Sequence, residues 1–377
     1  MTEPGFGIYV HWPFCQAKCP YCDFNSHVVA QIDHDAWRRA YTSEIARIRA
    51  MTGERRVGSI YFGGGTPSLM EPATVETVLS EIQRHWHISN DCEITLEANP
   101  TSVEAGRFRD YRLAGVGRVS MGIQALNDPD LKRLGRLHSV AEAETAFEIA
   151  RETFDRVSFD LIYARQDQTL DDWATELDRA LAMAADHLSL YQLTIEPETA
   201  FGERYARGGL RGLPSEDLSA DMYELTQERC EAAGMPAYEV SNHARPGSES
   251  RHNMIYWTGG DYAGIGPGAH GRLTLDGRRH ATETATAPLV WLKGALTGKT
   301  PEEIVTLDDA TVIEERLLMG LRIAEGVPLE LAQQVPDFER KVLDLEGYGL
   351  VERTSDRFRV TETGRPVLNG ILRALFA

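Results

Sequence analysis

Apolar segments alternate with amphipathic segments through the first half of the chain, and this alternation limits the fold more than any other feature. The predicted strands cover residues 7–13, 57–62, 93–98, 118–123, 156–163 and 187–193, and the predicted helices between them cover 33–51, 72–86, 103–114, 129–153 and 170–184. Repeating units of about 30 residues require parallel strands with right-handed crossovers. The pattern therefore predicts an α/β fold on a partial (β/α)6 barrel, with functional groups at the carboxyl ends of the strands.

Three of the five cysteines directly follow the first predicted strand. Cys15, Cys19 and Cys22 have the spacing C-x3-C-x2-C, and three thiolates this close together can hold a soft metal centre. A zinc site would take a fourth Cys or His ligand at similar range, and the nearest candidates, His11 and His27, match no zinc-ribbon spacing. A four-iron cluster can be held by three thiolates and keeps one iron free. Zinc and a reactive-thiol cluster stay open as alternatives.

Glycines or polar residues stand at four successive strand ends. The second strand ends in Gly63–Pro67, the third carries Glu97, the fourth ends in Gln124 and the fifth carries Asp160. Glycines let a ligand approach the backbone and its N–H groups, although an ordinary tight turn has the same composition. Polar residues at four neighbouring strand ends are hard to explain by packing, so we expect a ligand site there.

Charge and composition restrict the partners and the compartment. The 57 Asp and Glu residues outnumber the 39 Lys and Arg residues, which gives a net charge of -18 and disfavours binding along a nucleic-acid backbone. Cys92 and Cys230 stand alone, as in proteins of reducing compartments. The amino-terminal residues lack signal-peptide features, and no run of about 18 apolar residues occurs. We expect a cytoplasmic protein; peripheral membrane contact and a homodimer stay open.

The alternation stops near residue 301, where helices and a short hairpin follow. This pattern predicts a winged-helix-like domain over 301–377, after a barrel core at 1–195 and an accessory subdomain at 196–300. Winged-helix folds often bind DNA, but 301–377 holds 15 Asp and Glu against 9 Lys and Arg. We therefore expect a docking or lid role and no nucleic-acid partner.

A second informative stretch lies in the predicted accessory subdomain. His252, Asn253, Tyr256 and Trp257 spell H-N-x-x-Y-W, and Gly266–Gly271 spells G-x-G-x-x-G. A dinucleotide site is rejected because a proline interrupts the glycines and no clear helix follows; close backbone approach at the barrel mouth explains them better. An imidazole beside aromatic faces can bind the iron of a flat macrocycle, but such a group is more often an ordinary packing contact.

The cysteine spacing resembles that of the radical S-adenosylmethionine enzymes. The motifs Y-V-H-W-P-F-C, C-P-Y-C-D-F-N-S, F-G-G-G-T-P-S, E-A-N-P, S-M-G-I-Q and D-L-I-Y follow in the order of that superfamily's coproporphyrinogen-dehydrogenase type. The resemblance implies a 4Fe-4S cluster on Cys15, Cys19 and Cys22, with S-adenosylmethionine on the open iron. It assigns S-adenosylmethionine binding to Tyr9, Tyr21, Gly64, Gly65, Thr66, Glu97, Gln124, Arg136 and Asp160.

H-N-x-x-Y-W followed by G-D-Y-x-G-I-G-x-G-A-H-G is similar to the heme chaperones of the coproporphyrinogen III oxidase-like family. This resemblance implies heme as a further cofactor, heme-accepting client proteins as partners, and His252 as candidate iron ligand beside Asn253, Tyr256 and Trp257. It assigns no catalytic residue and identifies no electron donor. An oxygen-independent coproporphyrinogen III dehydrogenase is the alternative, although Phe24 replaces the fourth cysteine of those enzymes. A winged-helix redox regulator is a second alternative.

Overall fold

An eleven-stranded sheet forms the frame of the molecule in the computed structural model, which describes residues 5–376. In chain order its strands are β1 Phe6–Trp12, β2 Arg56–Gly64, β3 His87–Ala98, β4 Arg118–Gln124, β5 Arg156–Tyr163, β6 His187–Gln192, β7 Asn242–Ala244, β8 Asp261–Ile265, β9 His270–Leu275, β10 Arg278–Thr284 and β11 Glu302–Thr306. The strand order across the sheet is β11-β10-β9-β8-β1-β2-β3-β4-β5-β6-β7.

Strands β1 to β6 are parallel and lie side by side in the order of the sequence. Their carboxyl ends therefore face the same side of the sheet, as the predicted α/β architecture requires. The helices of this part are α1 His34–Thr52, α2 Pro72–His85, α3 Ser102–Ala105, α4 Phe108–Ala114, α5 Asp128–Arg133, α6 Val140–Thr153 and α7 Leu170–Met183. Local sequence determines where two of these helices begin: Ser139 with Glu142, and Thr169 with Asp172, form capping boxes at the N-termini of α6 and α7.

The sheet extends on both sides of the six parallel strands. Helices α8 Ala200–Ala206, α9 Glu216–Ala232, α10 Arg251–Trp257 and α11 Pro288–Leu296 connect the outer strands. Strand β7 pairs antiparallel with β6, and β8 pairs parallel with β1. Residues 238–240 form a bend, in which the carboxylate of Glu239 accepts hydrogen bonds from Ser241 N and Asn242 Nδ2, and β7 begins at Asn242.

Residues 266–269 connect β8 to β9, Gly271 lies within β9, and β9 to β11 form an antiparallel meander. A strand follows this glycine-rich stretch where a dinucleotide-binding unit would have a helix.

A continuous apolar core lies between the sheet and its helices. On one side Trp12 of β1, Trp37 of α1 and Trp291 of α11 are buried together, with the Trp37 and Trp291 rings stacked at 5.5 Å between centroids. This aromatic contact packs the late helix α11 against the first strand–helix unit. Within residues 5–376, no helix has the length and apolar content needed to cross a membrane.

The C-terminal part has its own small sheet and apolar core. Its elements are α12 Asp309–Gly320, β12 Val327–Pro328, α13 Leu329–Ala332, α14 Phe338–Gly347, β13 Val351–Arg353, β14 Arg357–Val360 and α15 Leu368–Phe376. The three strands pair in the order β12-β14-β13. Val342, Phe358 and Ile371 are buried between the helices and the hairpin. The helices and hairpin agree with the predicted winged-helix-like arrangement.

Candidate functional site

A cavity of about 380 Å³ opens at the carboxyl ends of the parallel strands. We call it the upper cavity, and its walls include Cys15, Cys19, Tyr21, Cys22, Gly64, Gly65, Thr66, Glu97, Gln124, Arg136 and Asp160. The three cysteines and all the residues assigned to S-adenosylmethionine except Tyr9 thus share one cavity. This placement is the one that the strand-end pattern predicts.

Backbone hydrogen bonds fix the cysteine loop at both of its ends. Cys15 N donates to His27 O at 2.9 Å, and His27 N donates to Pro13 O at 2.7 Å, so the loop closes on itself. Thr66 N donates to Phe14 O at 2.9 Å and joins the loop to the glycine-rich end of β2. The cysteines are therefore placed by strands β1 and β2 together.

Two side chains donate hydrogen bonds to the cysteine sulfurs. Thr66 Oγ1 lies 3.4 Å from Cys15 Sγ, and Arg136 Nη1 lies 3.4 Å from Cys19 Sγ. Arg136 is held by Asn99 Oδ1 and Gly122 O, while its buried Nε has no hydrogen-bond partner. Burial raises the pKa of Cys15 and Cys22, so a metal centre would have to displace the thiol protons. The hydroxyl and the guanidinium beside the sulfurs are suitable donors to metal-bound thiolates, and the donor set fits a cluster held by three cysteines.

The described residues of the cysteine loop do not form a compact site for a single metal ion. Within residues 5–376, no three His, Cys, Asp or Glu side chains come close enough together to hold one ion.

Two carboxyl groups in the wall of the upper cavity have perturbed acidities. Burial raises the pKa of Glu97 to about 7, against the opposing effect of a hydrogen bond from Tyr61 Oη at 2.7 Å. Burial likewise raises the pKa of Asp160 to about 6, against a hydrogen bond with Ser189. Both groups change charge near neutral pH, as acids in ligand-binding sites often do.

Gln124 ends β4 in a backbone conformation that few side chains adopt. Its φ is +75°, and the register with β5 shifts between Met121 and Gln124. A left-handed residue at a strand end bends the chain and redirects the side chain, and here the amide lines the upper cavity. Tyr21 lies nearby and packs on an apolar cluster that includes Leu131 and Phe201.

An inner cavity of about 220 Å³ adjoins the upper cavity inside the curved sheet. Its lining includes Tyr9, Tyr61, Glu97, Arg118, Ser120, Asp160, His187, Ser189, Tyr191, Asn242, His252, Asn253 and Tyr256. The two cavities share Glu97, Ser120, Asp160 and Tyr191. Side chains from β1 to β7 converge on this one space, so the strands curve around a polar interior.

Helix α10 carries H-N-x-x-Y-W and closes the inner cavity near the beginnings of the parallel strands. His252 is only 1% exposed, and its Nδ1 and Nε2 lie 2.8 Å from Ser59 Oγ and 2.5 Å from Tyr256 Oη. Its ring stacks on Tyr61 at 5.0 Å, and burial lowers its pKa to about 3, so the imidazole is neutral. Asn253 donates weakly to Tyr238. Iron ligation by His252 would have to replace one of these hydrogen bonds, and it stays a prediction.

Several lining residues lay outside the sequence-based assignment. Arg118, Tyr61 and Tyr191 occupy inward positions of β4, β2 and β6, and Asn99 holds Arg136. An arginine at the first position of an otherwise apolar strand was the available signal for Arg118, which is only 3% exposed. The tyrosines had no such signal, because aromatic residues are common in strands.

The glycine-rich turn between β8 and β9 packs against His11 and Asn25, which flank the cysteines in the sequence. A Cβ on Gly266 would lie 2.4 Å from His11 O, and one on Gly268 would lie 2.4 Å from Asn25 Nδ2. Asn25 donates to Pro267 O at 3.0 Å, and His11 Nε2 lies 2.9 Å from Asn25 O. The glycines permit this close approach, in agreement with the role expected from the sequence.

We expect Gly266→Ala to lower the free energy of unfolding by about 2–3 kcal/mol, because the residue has φ +121° and no room for a side chain. Urea unfolding of the purified protein measures this change. Gly247→Ala is the matched control, since Gly247 has φ +85° but open space around it, and it should cost about 1 kcal/mol. Equal losses in the two variants would show that the approach to His11 contributes nothing.

Comparison with known protein families identifies two regions of the chain. The model of the Radical SAM superfamily matches residues 9–180, and that of the HemN C-terminal domain matches residues 307–367. The first match spans the cysteine loop and most of the parallel strands. The second spans most of the C-terminal part.

Full-length relatives are also similar to this chain. The heme chaperone HemW of Escherichia coli (strain K12) is 36% identical over 99% of this chain and 99% of its own length. The HemW of Mycobacterium tuberculosis is 36% identical over 100% and 96%. The radical S-adenosyl methionine domain-containing protein 1, mitochondrial, of Bos taurus is 38% identical over 98% and 87%.

One solved structure has the same fold along the whole chain. The structure described as coproporphyrinogen III oxidase (HemN) from Escherichia coli, a radical SAM enzyme, superposes with a TM-score of 0.82 at 22% identity. The superposition covers 100% of this chain and 91% of that one. At this identity the likeness establishes the fold alone.

Proposed function

We propose, because this chain belongs to the radical S-adenosylmethionine superfamily and within it to the family of the HemW heme chaperones, that it binds heme and transfers it to client proteins. The observation that carries this proposal is 36% identity to curated heme chaperones over essentially the whole chain. A 4Fe-4S cluster and S-adenosylmethionine are the other two cofactors, and client apoproteins and an electron donor are the partners.

We assign the cluster to Cys15, Cys19 and Cys22. When bound, a cluster of this family supplies the electron that can cleave S-adenosylmethionine, and its open iron binds that molecule. Thr66 and Arg136 orient the sulfurs of Cys15 and Cys19 by the hydrogen bonds described above. The cationic Arg136 also offsets the negative charge that three thiolates bring into the cavity.

We propose that the walls of the upper cavity hold S-adenosylmethionine. Gly64, Gly65 and Thr66 at the end of β2 offer backbone that a ligand can approach. Glu97 and Asp160 supply acceptors for the amino and hydroxyl groups of the ligand, and Gln124 and Tyr21 supply further polar contacts. Tyr9, to which the resemblance assigns S-adenosylmethionine binding, lines the inner cavity and not the upper cavity; we propose that it supports the site through its neighbours.

The H-N-x-x-Y-W segment is the part of the chain that we propose for heme, on the strength of the resemblance. It lies at the opposite end of the parallel strands from the cysteine loop: His252 contacts Ser59 near the start of β2, whereas Thr66 follows the end of that strand. The cluster and the heme segment are thus separated by the length of the strands.

The anaerobically reconstituted protein should bind one heme per chain and should not convert coproporphyrinogen III. Titration with hemin, followed by the Soret band, measures the first property. Incubation with coproporphyrinogen III, S-adenosylmethionine and a low-potential reductant, followed by an assay for protoporphyrinogen, measures the second. The structural reason for the second expectation is Phe24, which lines the upper cavity where the dehydrogenases have a further cysteine.

Catalytic formation of protoporphyrinogen would make the protein a dehydrogenase in spite of Phe24. Absence of a Soret shift in protein with a full complement of iron and sulfide would remove the chaperone proposal. An inactive protein that binds heme would support it.

A further inference from the structure

A cleft of about 860 Å³ lies between the outer face of α10 and the C-terminal part of the chain. We call it the α10 cleft, and its lining includes Arg251, Met254, Ile255, Trp257 and Thr258 on one side and Arg316, Ile323, Glu325, Val327, Pro328, Leu331 and Arg357 on the other. Its volume is within the range of about 300–1,000 Å³ usual for cofactor pockets. Of the residues assigned above, Trp257 is the one that lines this cleft.

The helix that carries H-N-x-x-Y-W has two faces with different surroundings. His252 and Tyr256 are four residues apart, and both line the inner cavity. Arg251, Met254 and Thr258 are spaced by three and four residues, and all three line the α10 cleft. Residues at these spacings share one side of a helix, so the motif presents an inward polar face and an outward face toward the cleft.

We propose that heme docks in the α10 cleft with the thioether of Met254 on its iron, an inference that rests on the proposed heme-chaperone function. Methionine is an established axial ligand of heme iron. Among the described residues that line the cleft, Met254 is the one with a side chain of the usual ligand types His, Cys, Met and Tyr. His252, by contrast, has both ring nitrogens engaged inside the fold.

The walls of the cleft match the flat apolar body of the macrocycle. Trp257 is partly exposed and provides aromatic surface, while Ile323 and Leu331, which are 4% and 7% exposed, contribute the edges of their side chains. The indole of Trp257 is held by Arg322, whose guanidinium lies 5.2 Å from the ring centre, so the ring is fixed as a packing surface. A heme between α10 and the C-terminal part would contact both regions at once.

The rim of the cleft carries three arginines that can bind the two propionates of heme, alongside the carboxylates of Asp91, Glu249 and Glu325. Arg316 is exposed and, within residues 5–376, has no Asp or Glu in ion-pair contact. Arg251 is shared with Asp91 at 2.6 Å, and Arg357 has only a long contact of 3.9 Å with Glu325. Guanidinium groups bind carboxylates in a two-pronged geometry, so Arg316 is the first candidate for a propionate.

The upper and inner cavities suit heme less well, and a neighbouring cleft of about 1300 Å³ that shares Arg316 has no His, Cys, Met or Tyr among its described lining residues. The upper cavity of about 380 Å³ contains the cysteines and is assigned to the cluster and S-adenosylmethionine. The inner cavity of about 220 Å³ is below the usual range for cofactor sites. The α10 cleft is separate from both and leaves the cluster site free.

Hemin titration of the reconstituted full-length protein tests this site. Met254→Leu keeps the volume of the side chain and removes the sulfur, so it should shift the Soret band and weaken heme binding by at least about tenfold. Arg316→Glu, at an exposed position, should weaken binding by about tenfold through repulsion of a propionate. Met51→Leu in α1, the same substitution outside the cleft, should bind heme as the unaltered protein does.

The possible results separate the two proposals. If the unaltered protein binds no heme, the chaperone function fails and the cleft proposal fails with it. If it binds heme and both Met254→Leu and Arg316→Glu bind with unchanged affinity and spectrum, only the cleft proposal is overturned. A spectral change confined to His252→Gln would likewise overturn it and favour the inner face of the motif. Cluster absorbance, measured in every variant, checks that the fold is retained.

Discussion

Cys19→Ser is expected to abolish the cluster. The variant should contain less than about a tenth of the iron and sulfide of the unaltered protein and should lose the brown absorbance, because an alcohol is a far poorer iron ligand than a thiolate. Of the three cysteines, Cys19 is the one to substitute, since Arg136 donates a hydrogen bond directly to its sulfur. Iron and sulfide analysis after anaerobic reconstitution, together with the visible spectrum, measures the effect.

Cys92→Ser is the matched control for this prediction. Cys92 lies in β3 outside the cysteine loop, and its thiol is free and only partly buried. The same substitution there should leave iron, sulfide and absorbance unchanged. A Cys19→Ser protein with its full cluster would remove Cys19 as a ligand and would reopen the alternatives of zinc and a reactive-thiol group.

The sequence predicted well the part of the fold in which strands that are consecutive in the chain pair with each other. Each of β1 to β6 pairs with the next strand along the chain, so local periodicity and the length of the crossovers were sufficient to predict it. Strands β8 to β11 were missed because their apolar runs are short and are interrupted by charged residues or glycine. Their position in the sheet depends on the pairing of β8 with β1, which lies some 250 residues away in the chain.

In the candidate site, too, features set by consecutive strands could be predicted, and features set by distant contacts could not. Gly64, Glu97, Gln124 and Asp160 line one cavity, as the sequence predicted, because the ends of consecutive parallel strands meet in space. The surroundings of His252 could not be read in this way, since its partner Ser59 is 193 positions distant. No helix was predicted over Arg251–Trp257, and no local pattern shows whether His252 and Tyr256 point toward a ligand or toward the core.

Glu97→Gln should stabilise the ligand-free protein at alkaline pH. The pKa of Glu97 is about 7 in the folded state and about 4.5 in its ordinary range, so the folded state holds its proton longer than the unfolded state does. Stability is therefore lost as pH rises from 4.5 to 7, by up to about 3 kcal/mol. Glutamine does not ionise, so the stability advantage of the variant should grow over this window and stay constant above it.

Urea unfolding of the ligand-free protein at pH 5 and pH 8 measures this difference, with the exposed Glu76→Gln of α2 as the control that should show none. The same Glu97→Gln substitution should weaken S-adenosylmethionine binding by about tenfold or more at pH 8, because it removes a charged acceptor. The substitution should therefore increase stability and decrease ligand affinity, as expected for a buried acid that serves ligand binding and destabilises the fold. A variant whose stability changes with pH as the unaltered protein's does would mean that Glu97 titrates normally. Unchanged affinity at pH 8 would remove it from the ligand site.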